Sequence, residues 1–283
     1  MINITKPEDL HELPENNKFL GTPPVMKGSF IRFNGSGNIL FCEKGVRLIN
    51  SSIQFNGNDS VIFLCENWHD YILNVTVYNK SAFFVGRNNY INDELNAILS
   101  ERKHLFIGND GLFSLGIWMR LADPHLVYDA NSKQRINPSK SVFIGDHVWL
   151  GQGAYILKGT HIHSGSVVGA GSVVAGKKIP SNTSWAGNPA RELRRDVFWN
   201  KPCVHAWSEE ETQQSQVFDD NRHIYRNDPE VYLPFDELDR RLTEAANATE
   251  RYEYLQTLAN DAPKNRFALE PQPIKKKGLF RKS

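Results

Sequence analysis

Residues 144–174 read IGDHVWLGQGAYILKGTHIHSGSVVGAGSVV, and every sixth position is aliphatic: Ile144, Leu150, Ile156, Ile162, Val168 and Val174. Four places after each of the first five stands a small or slim residue: Val148, Ala154, Thr160, Ser166 and Ser172. A helix with ~3.6 residues per turn cannot hold a six-residue lattice in phase, and a single strand of this length is foreign to globular proteins. A short fixed period signals a solenoid. Three hexads close one triangular turn, with the aliphatic side chain inside and the small one near the corner. Stacked turns then join by parallel pairing at ~4.8 Å. The sequence predicts a mainly β fold, a parallel β-helix with a narrow, filled interior.

Working outward, the lattice first appears at Ile107, Phe113 and Met119, with His125 next in register. Residues 126–143 leave it as an extruded polar loop, and Ile144 resumes it until about Ile179. Three regions follow. Residues 1–27, with Pro7, Pro14, Pro23 and Pro24, form an irregular lead-in. Residues 28–193 form the β-helix, with degenerate coils to 104 and regular hexads over 105–125 and 144–179. Within the degenerate part, strands seven or eight residues apart run to Val85, and 87–104 reads as an insertion with a short helix. Residues 194–283 form a C-terminal extension, with an amphipathic helix at about 235–260 and a basic tail, Lys275 to Ser283. The helix is placed to cap the open edge of the coil.

Composition narrows the function. A net charge of +1 gives no general pull toward nucleic acid. Three cysteines without a Cys-x-x-Cys pair fit a reduced, cytoplasmic setting. The first residues lack the plan of a signal peptide, and no apolar run approaches the ~18 residues of a membrane span.

Three segments carry a resemblance: Asp123-Pro124-His125-Leu126-Val127-Tyr128-Asp129, Ile144-Gly145-Asp146-His147-Val148-Trp149-Leu150-Gly151, and Ala186-Gly187-Asn188-Pro189-Ala190-Arg191. With the repeat between them, Leu105 to Arg194 resembles the hexapeptide-repeat acyltransferases. Within these it is most similar to bacterial O-acetyltransferases of capsular polysaccharides, including sialic-acid capsules. The resemblance implies a left-handed β-helix, against the right-handed default for parallel crossovers. It also implies acetyl-CoA as co-substrate, a polysaccharide acceptor and a homotrimer with the cofactor groove between subunits. The long C-terminal extension departs from the small enzymes of the family.

The residues that break the lattice are the candidates for chemistry. His125 stands where an aliphatic residue is expected. An imidazole there can act as general base for a sugar hydroxyl, a poor nucleophile at neutral pH. Asp123, Asp129 or a backbone carbonyl would orient it. Trp149 follows a slim position, at a corner, so its indole points outward; the resemblance puts it in the active site, where its N–H donor faces the acetyl group. A backbone N–H near Trp149 or Gly151 would hold the oxyanion. For the cofactor, the resemblance implies a path past Trp149, Gly151, Gly169, Ala170 and Ala175, phosphates near Lys177, Lys178 and Arg191, and the segment to Pro189 near the adenine. Tyr128, Lys133, Arg135 and Lys140 on the loop are candidate contacts to an acidic acceptor. His161, His163 and His147 lie close in sequence, but their spacing does not read as a metal site. The basic tail is read as solvated, with membrane contact the other reading. Rival functions are an acyltransferase for a small sugar, a nucleotide sugar or an antibiotic, and a non-catalytic hexapeptide scaffold.

Overall fold

The computed structural model describes residues 2–14 and 16–272. The chain winds into a parallel β-helix whose three sides are sheets of eight, eight and six strands, with a two-stranded sheet starting the third side. The first face runs from Phe30–Phe33 to Val173–Ala175, the second from Lys18–Gly21 to Lys178–Ile179, and the third from Tyr90–Ile91 to Thr183–Ala186. Both ends close with an antiparallel strand. Ile2–Ile4 lies on Phe30–Phe33, and Arg191–Arg195 folds back on Thr183–Ala186. These two strands pair edges that would otherwise template association.

The coil has two gauges. On the first face Ile31, Ile53, Val75, Ala97 and Met119 are successive partners, so each N-terminal coil takes 22 residues. Ile156 and Val174 are partners 18 residues apart, three hexads. Each wide side buries several large side chains, such as Leu73, Val75 and Val77, or Phe83 and Val85. Each narrow side buries one aliphatic and one small residue, such as Val168 with Ser166.

Register in the wide coils is pinned at the corners. Asn17 Oδ1 accepts the Asn38 N–H (3.0 Å), Asn38 Oδ1 accepts that of Ser60 (2.9 Å), and Ser60 Oγ accepts that of Ser81 (3.1 Å). The ladder continues from His104 Nδ1 to the Ala82 N–H (3.1 Å) and from Ser141 Oγ to the His104 N–H (3.0 Å). Each side chain satisfies a backbone donor that the corner takes out of the sheet.

The second face is apolar on both sides. Its outward residues stack as Phe41, Phe63, Phe84 and Phe106, with neighbouring centroids 4.2–5.2 Å apart, near the strand spacing. The C-terminal extension covers this ladder. Helices Phe235–Glu244 and Ala248–Asn260 bury Phe235, Leu238, Leu242, Leu255 and Leu258 with it, and Phe267 closes the layer. An ion pair buried beneath it joins Arg266 to Asp146 through two contacts of 3.0 and 2.9 Å, and Arg266 Nη1 also donates to the Leu258 carbonyl (2.7 Å).

Several expectations change. Within residues 1–27, Lys18–Gly21 and Val25–Lys27 are already coil strands. Residues 87–104 hold no helix; Tyr90–Ile91 and Leu95–Leu99 form two sides of a wide coil. The single helix expected over 235–260 is two, because Asn247 starts the second by accepting the Glu250 N–H (3.0 Å). These helices cover a face rather than the coil's edge. The basic tail lies outside the described residues.

Candidate active site

The extruded loop leaves the coil after Leu121, fully buried, and returns at Val142. His125 therefore holds no lattice place: it stands exposed on the loop, at the edge between the first and second faces. Asn137 organises the loop base. Its Nδ2 donates to the His125 carbonyl (2.7 Å) and to Asp123 Oδ2 (3.1 Å), and its Oδ1 accepts the Val127 N–H (2.9 Å). Tyr128 and Arg135 bridge in an antiparallel turn beyond it.

The charged groups near His125 are engaged elsewhere. Asp123 pairs with Lys158 (2.5 Å), and Asp129 accepts from Asn131 and Ser132 within its own turn. Arg135 forms a fork on Glu101 (2.7 and 2.9 Å). That guanidinium, with Ser139, holds the Glu101 carboxyl down at about 2. Arg135 thus braces the loop against the coil. Lys133 and Lys140 are exposed, and Lys133 occupies a left-handed turn position (φ 57°).

Trp149 lies on the third face, outward and 38% exposed, on strand Trp149–Leu150. It is not a corner residue as expected. Its partners on the preceding and following coils are Leu112 and Val167. It lines a cleft of ≈ 1070 Å³ along this face, together with Trp68, His69, Tyr90 and Ser114. The segment Trp199 to His205 forms one wall. Trp199 sits 6.0 Å from Trp149 between centroids. Within one chain His125 and Trp149 stand on different sides of the coil.

The small residues have a structural reason of their own. A Cβ on Gly151 would meet the Ala170 nitrogen at 2.6 Å, and one on Gly169 would meet Ala186 Cβ at 2.9 Å. These positions and exposed Ala170 line the corner between the third and first faces. The turn carrying Pro189 and Arg191, both exposed, closes the next coil at that corner, where the Val173 N–H donates to the Gly187 carbonyl (3.0 Å). Ala175 and Lys177 fall at the opposite edge of the first face, the edge that carries the loop. Lys178 belongs to the second face and pairs with Asp236 (3.0 Å) at the start of the helix there. The candidate cofactor residues divide between two corners.

The three clustered histidines hold the extension. His147 stacks between Trp199 and His223, with both centroids at 4.1 Å, and its Nε2 meets the Trp199 carbonyl (3.0 Å). Trp199 Nε1 donates to the His147 carbonyl in return (3.0 Å). His163 Nδ1 meets the Phe267 carbonyl (3.2 Å), and His161 packs edge-on to Phe143 and Phe235. Burial pushes His147 down to about 4 and His163 to about 3. Among the described residues no cluster of three or more His, Cys, Asp or Glu is placed to hold a metal ion.

The class the repeat points to is that of the bacterial transferase hexapeptide (six repeats) family, whose description residues 141–176 match. More particularly, the chain is 27% identical over 188 residues to a polysialic acid O-acetyltransferase of Neisseria meningitidis, covering 66% of this chain and 86% of that one. A polysialic acid O-acetyltransferase of Escherichia coli O1:K1 / APEC is 37% identical over 102 residues, 36% of this chain and 33% of the relative. The crystal structure of the polySia-specific acetyltransferase NeuO superposes with a TM-score of 0.60 at 26% identity, over 70% of this chain and 93% of that one. The resemblance read from the sequence holds at both levels. The cleft residues Trp68, Tyr90, Trp199 and Lys201 escaped the sequence reading, because they lie outside the six-residue lattice that singled out Trp149.

Proposed function

We propose that this protein is an acetyl-CoA-dependent O-acetyltransferase acting on hydroxyls of a bacterial surface polysaccharide, with polysialic acid the first acceptor to test. The observation that carries this reading is the hexapeptide coil with His125 on its extruded loop and Trp149 on its open face, in a chain similar to polysialic acid O-acetyltransferases. His125 takes the proton of the acceptor hydroxyl as that oxygen attacks the thioester carbonyl. The N–H groups of Trp149 and Gly151 donate to the Ser166 and Val168 carbonyls (3.0 and 2.7 Å), so the tetrahedral oxyanion is steadied by another backbone N–H of that segment, a donor worth ~2.7–4 kcal/mol. Collapse expels the thiolate of coenzyme A, which receives the proton back from the imidazolium. Trp149 orders the acetyl end of the donor. Gly151, Gly169 and Ala170 leave room for its arm, and Arg191 lies on the same corner for its phosphates.

The site is completed by a second copy in a homotrimer. The helices of the extension occupy the second face and its Trp199–His205 segment edges the third, so the first face and the rest of the third, which share the corner at Gly151 and Gly169, are free to face neighbours. Packing one copy's first face on the next copy's third face brings a loop from the far edge over the Trp149 cleft. Leu126, Val127, Tyr128 and Ile136 of that loop are exposed apolar residues suited to such a contact. Lys133 and Lys140 would then face an acidic acceptor. No helix among the described residues is long and apolar enough to cross a membrane. We place the enzyme in the cytoplasm, where acetyl-CoA is supplied, beside the machinery that makes the polymer.

The test is transfer of labelled acetyl from acetyl-CoA to a panel of de-O-acetylated capsular polysaccharides, monomeric sugars and nucleotide sugars. Transfer to polymer, lowered about 10²–10⁴-fold in His125→Ala, is expected. Transfer confined to monomers would favour a small-molecule enzyme, and unimpaired turnover in His125→Ala would remove the general base. No transfer to any acceptor would favour a scaffold.

A further inference from the structure

The third-face cleft reaches well to the N-terminal side of Trp149, away from the glycines and alanines of the narrow coils. Its floor is a row of outward side chains on three successive coils: Tyr90 partners Leu112, and Leu112 partners Trp149. His69 meets Tyr90 edge-on at 4.2 Å, and the neighbouring Trp68 is 86% exposed. Nothing within its own chain packs on this indole at the mouth of the cleft, so its ring is open to a ligand. The edges are polar. The Tyr90 hydroxyl donates to Asn92 Oδ1 (2.7 Å), and Lys201 reaches Asp110 (3.6 Å) and the Asn88 carbonyl (3.2 Å). Lys201 belongs to the wall that the His147–Trp199 stack fixes to the coil.

We infer that this cleft is an acceptor channel that binds several consecutive sugars of an extended glycan, presenting one of them to the acetyl group at Trp149. The inference rests on the reading of the protein as a polysaccharide acetyltransferase. Three features choose a glycan chain. Aromatic faces pack on the apolar C–H faces of sugar rings, while amide, hydroxyl and ammonium groups at the rim meet their hydroxyls and carboxylates. The row runs along the coil axis, so it matches a linear ligand. A volume of ≈ 1070 Å³ lies at the top of the range, ~300–1,000 Å³, that holds a whole drug-sized ligand. A monosaccharide would leave most of it to water. The narrow coils beyond Trp149 remain for the acetyl donor, so the two substrates approach the transfer point from opposite ends.

The test is binding of de-O-acetylated oligosialic acids, from the monomer to long polymer, by titration calorimetry in the absence of acetyl-CoA, with oligomer mass checked for every variant. Affinity should rise with chain length and then level off. Trp68→Ala and Tyr90→Ala should each weaken the long ligands about three- to tenfold, the scale of one lost aromatic contact, and leave the monomer unchanged. The proposal is overturned if the wild-type protein binds the monomer as tightly as the polymer, or if both variants retain full affinity for the polymer. Length-dependent binding without acetyl transfer would instead sink the transferase reading and leave the channel standing.

Discussion

The N-terminal and C-terminal coils share one sheet spacing and one set of three faces, yet they are built by different rules. The wide coils take 22 residues and fill a broad interior with several large side chains per side; the narrow ones take 18 and allow one aliphatic and one small residue. The narrow rule is strict because a small cross-section leaves no choice at the corner, and strictness is what makes a repeat visible. The wide rule fixes only burial and corner hydrogen bonds, so Phe, Ile, Leu, Val and Met interchange inside. The candidate site lies where the gauges meet. The loop leaves at Leu121, Trp149 stands on the first coil after the loop, and the cleft runs back over the wide coils.

The largest effect that would sharpen this contrast is acid-driven and falls on the extension, which covers the second face and edges the third. His104, His147 and His163 all hold that extension in the neutral form, His104 through Thr243 Oγ1 (3.3 Å). Burial depresses all three, His104 to about 3. Below about pH 6.5 these coil histidines, uncovered when the extension is released, bind protons that they refuse beneath it, so docking is strongest above that pH and weakens as pH falls toward 4–3. Hydrogen exchange across 197–269 should increase over this window while the narrow coils stay protected; uniform loss of protection would contradict the separate roles of coil and cover.

Core substitutions come next. Phe83→Ala in a wide coil should cost ~3–5 kcal/mol in denaturant unfolding, because a buried ring leaves a cavity. Asn38→Ala, which removes a corner acceptor and two donors, should cost about 1–3 kcal/mol through an unpaired Ser60 N–H and its neighbours. Ser166→Val tests the narrow rule. It overfills a corner and removes the hydroxyl bond to the Pro180 carbonyl (2.6 Å), for about 1–3 kcal/mol. A stabilised Ser166→Val would mean the narrow coils have room to spare. Trp68→Ala should change stability by less than ~0.5 kcal/mol, since its ring is in water.

What could be read from sequence follows the same division. Ile144 to Val174 announced the β-helix, and its lattice ran to about Ile179. The wide coils were read as strands in degenerate coils, but their 22-residue gauge was not, although a signal was present. Short apolar runs recur at Val61–Leu64, Ala82–Val85, Leu105–Ile107 and Val142–Ile144. Unbroken apolar runs mean strands buried on both faces, here by the coil interior and by the extension's helices. His125 and Trp149 stood out as candidates because they sit beside the visible lattice. The ion pair of Lys178 was not legible because its partner, Asp236, lies 58 positions away in sequence. Tyr90 and Trp199 approach Trp149 only once the coil is wound and the chain returns along it.

The central claim is that the transfer site joins the loop of one copy to the open face of the next. Subunit mixing tests it most directly. His125→Ala and Trp149→Ala proteins, each assayed alone for acetyl transfer to polymer, should be nearly inactive. Refolded together at equal amounts, they should recover about a quarter of wild-type activity, because one pairing in four unites an intact loop with an intact cleft across the interface. No recovery, with mixed trimers shown to form, would contradict the shared site.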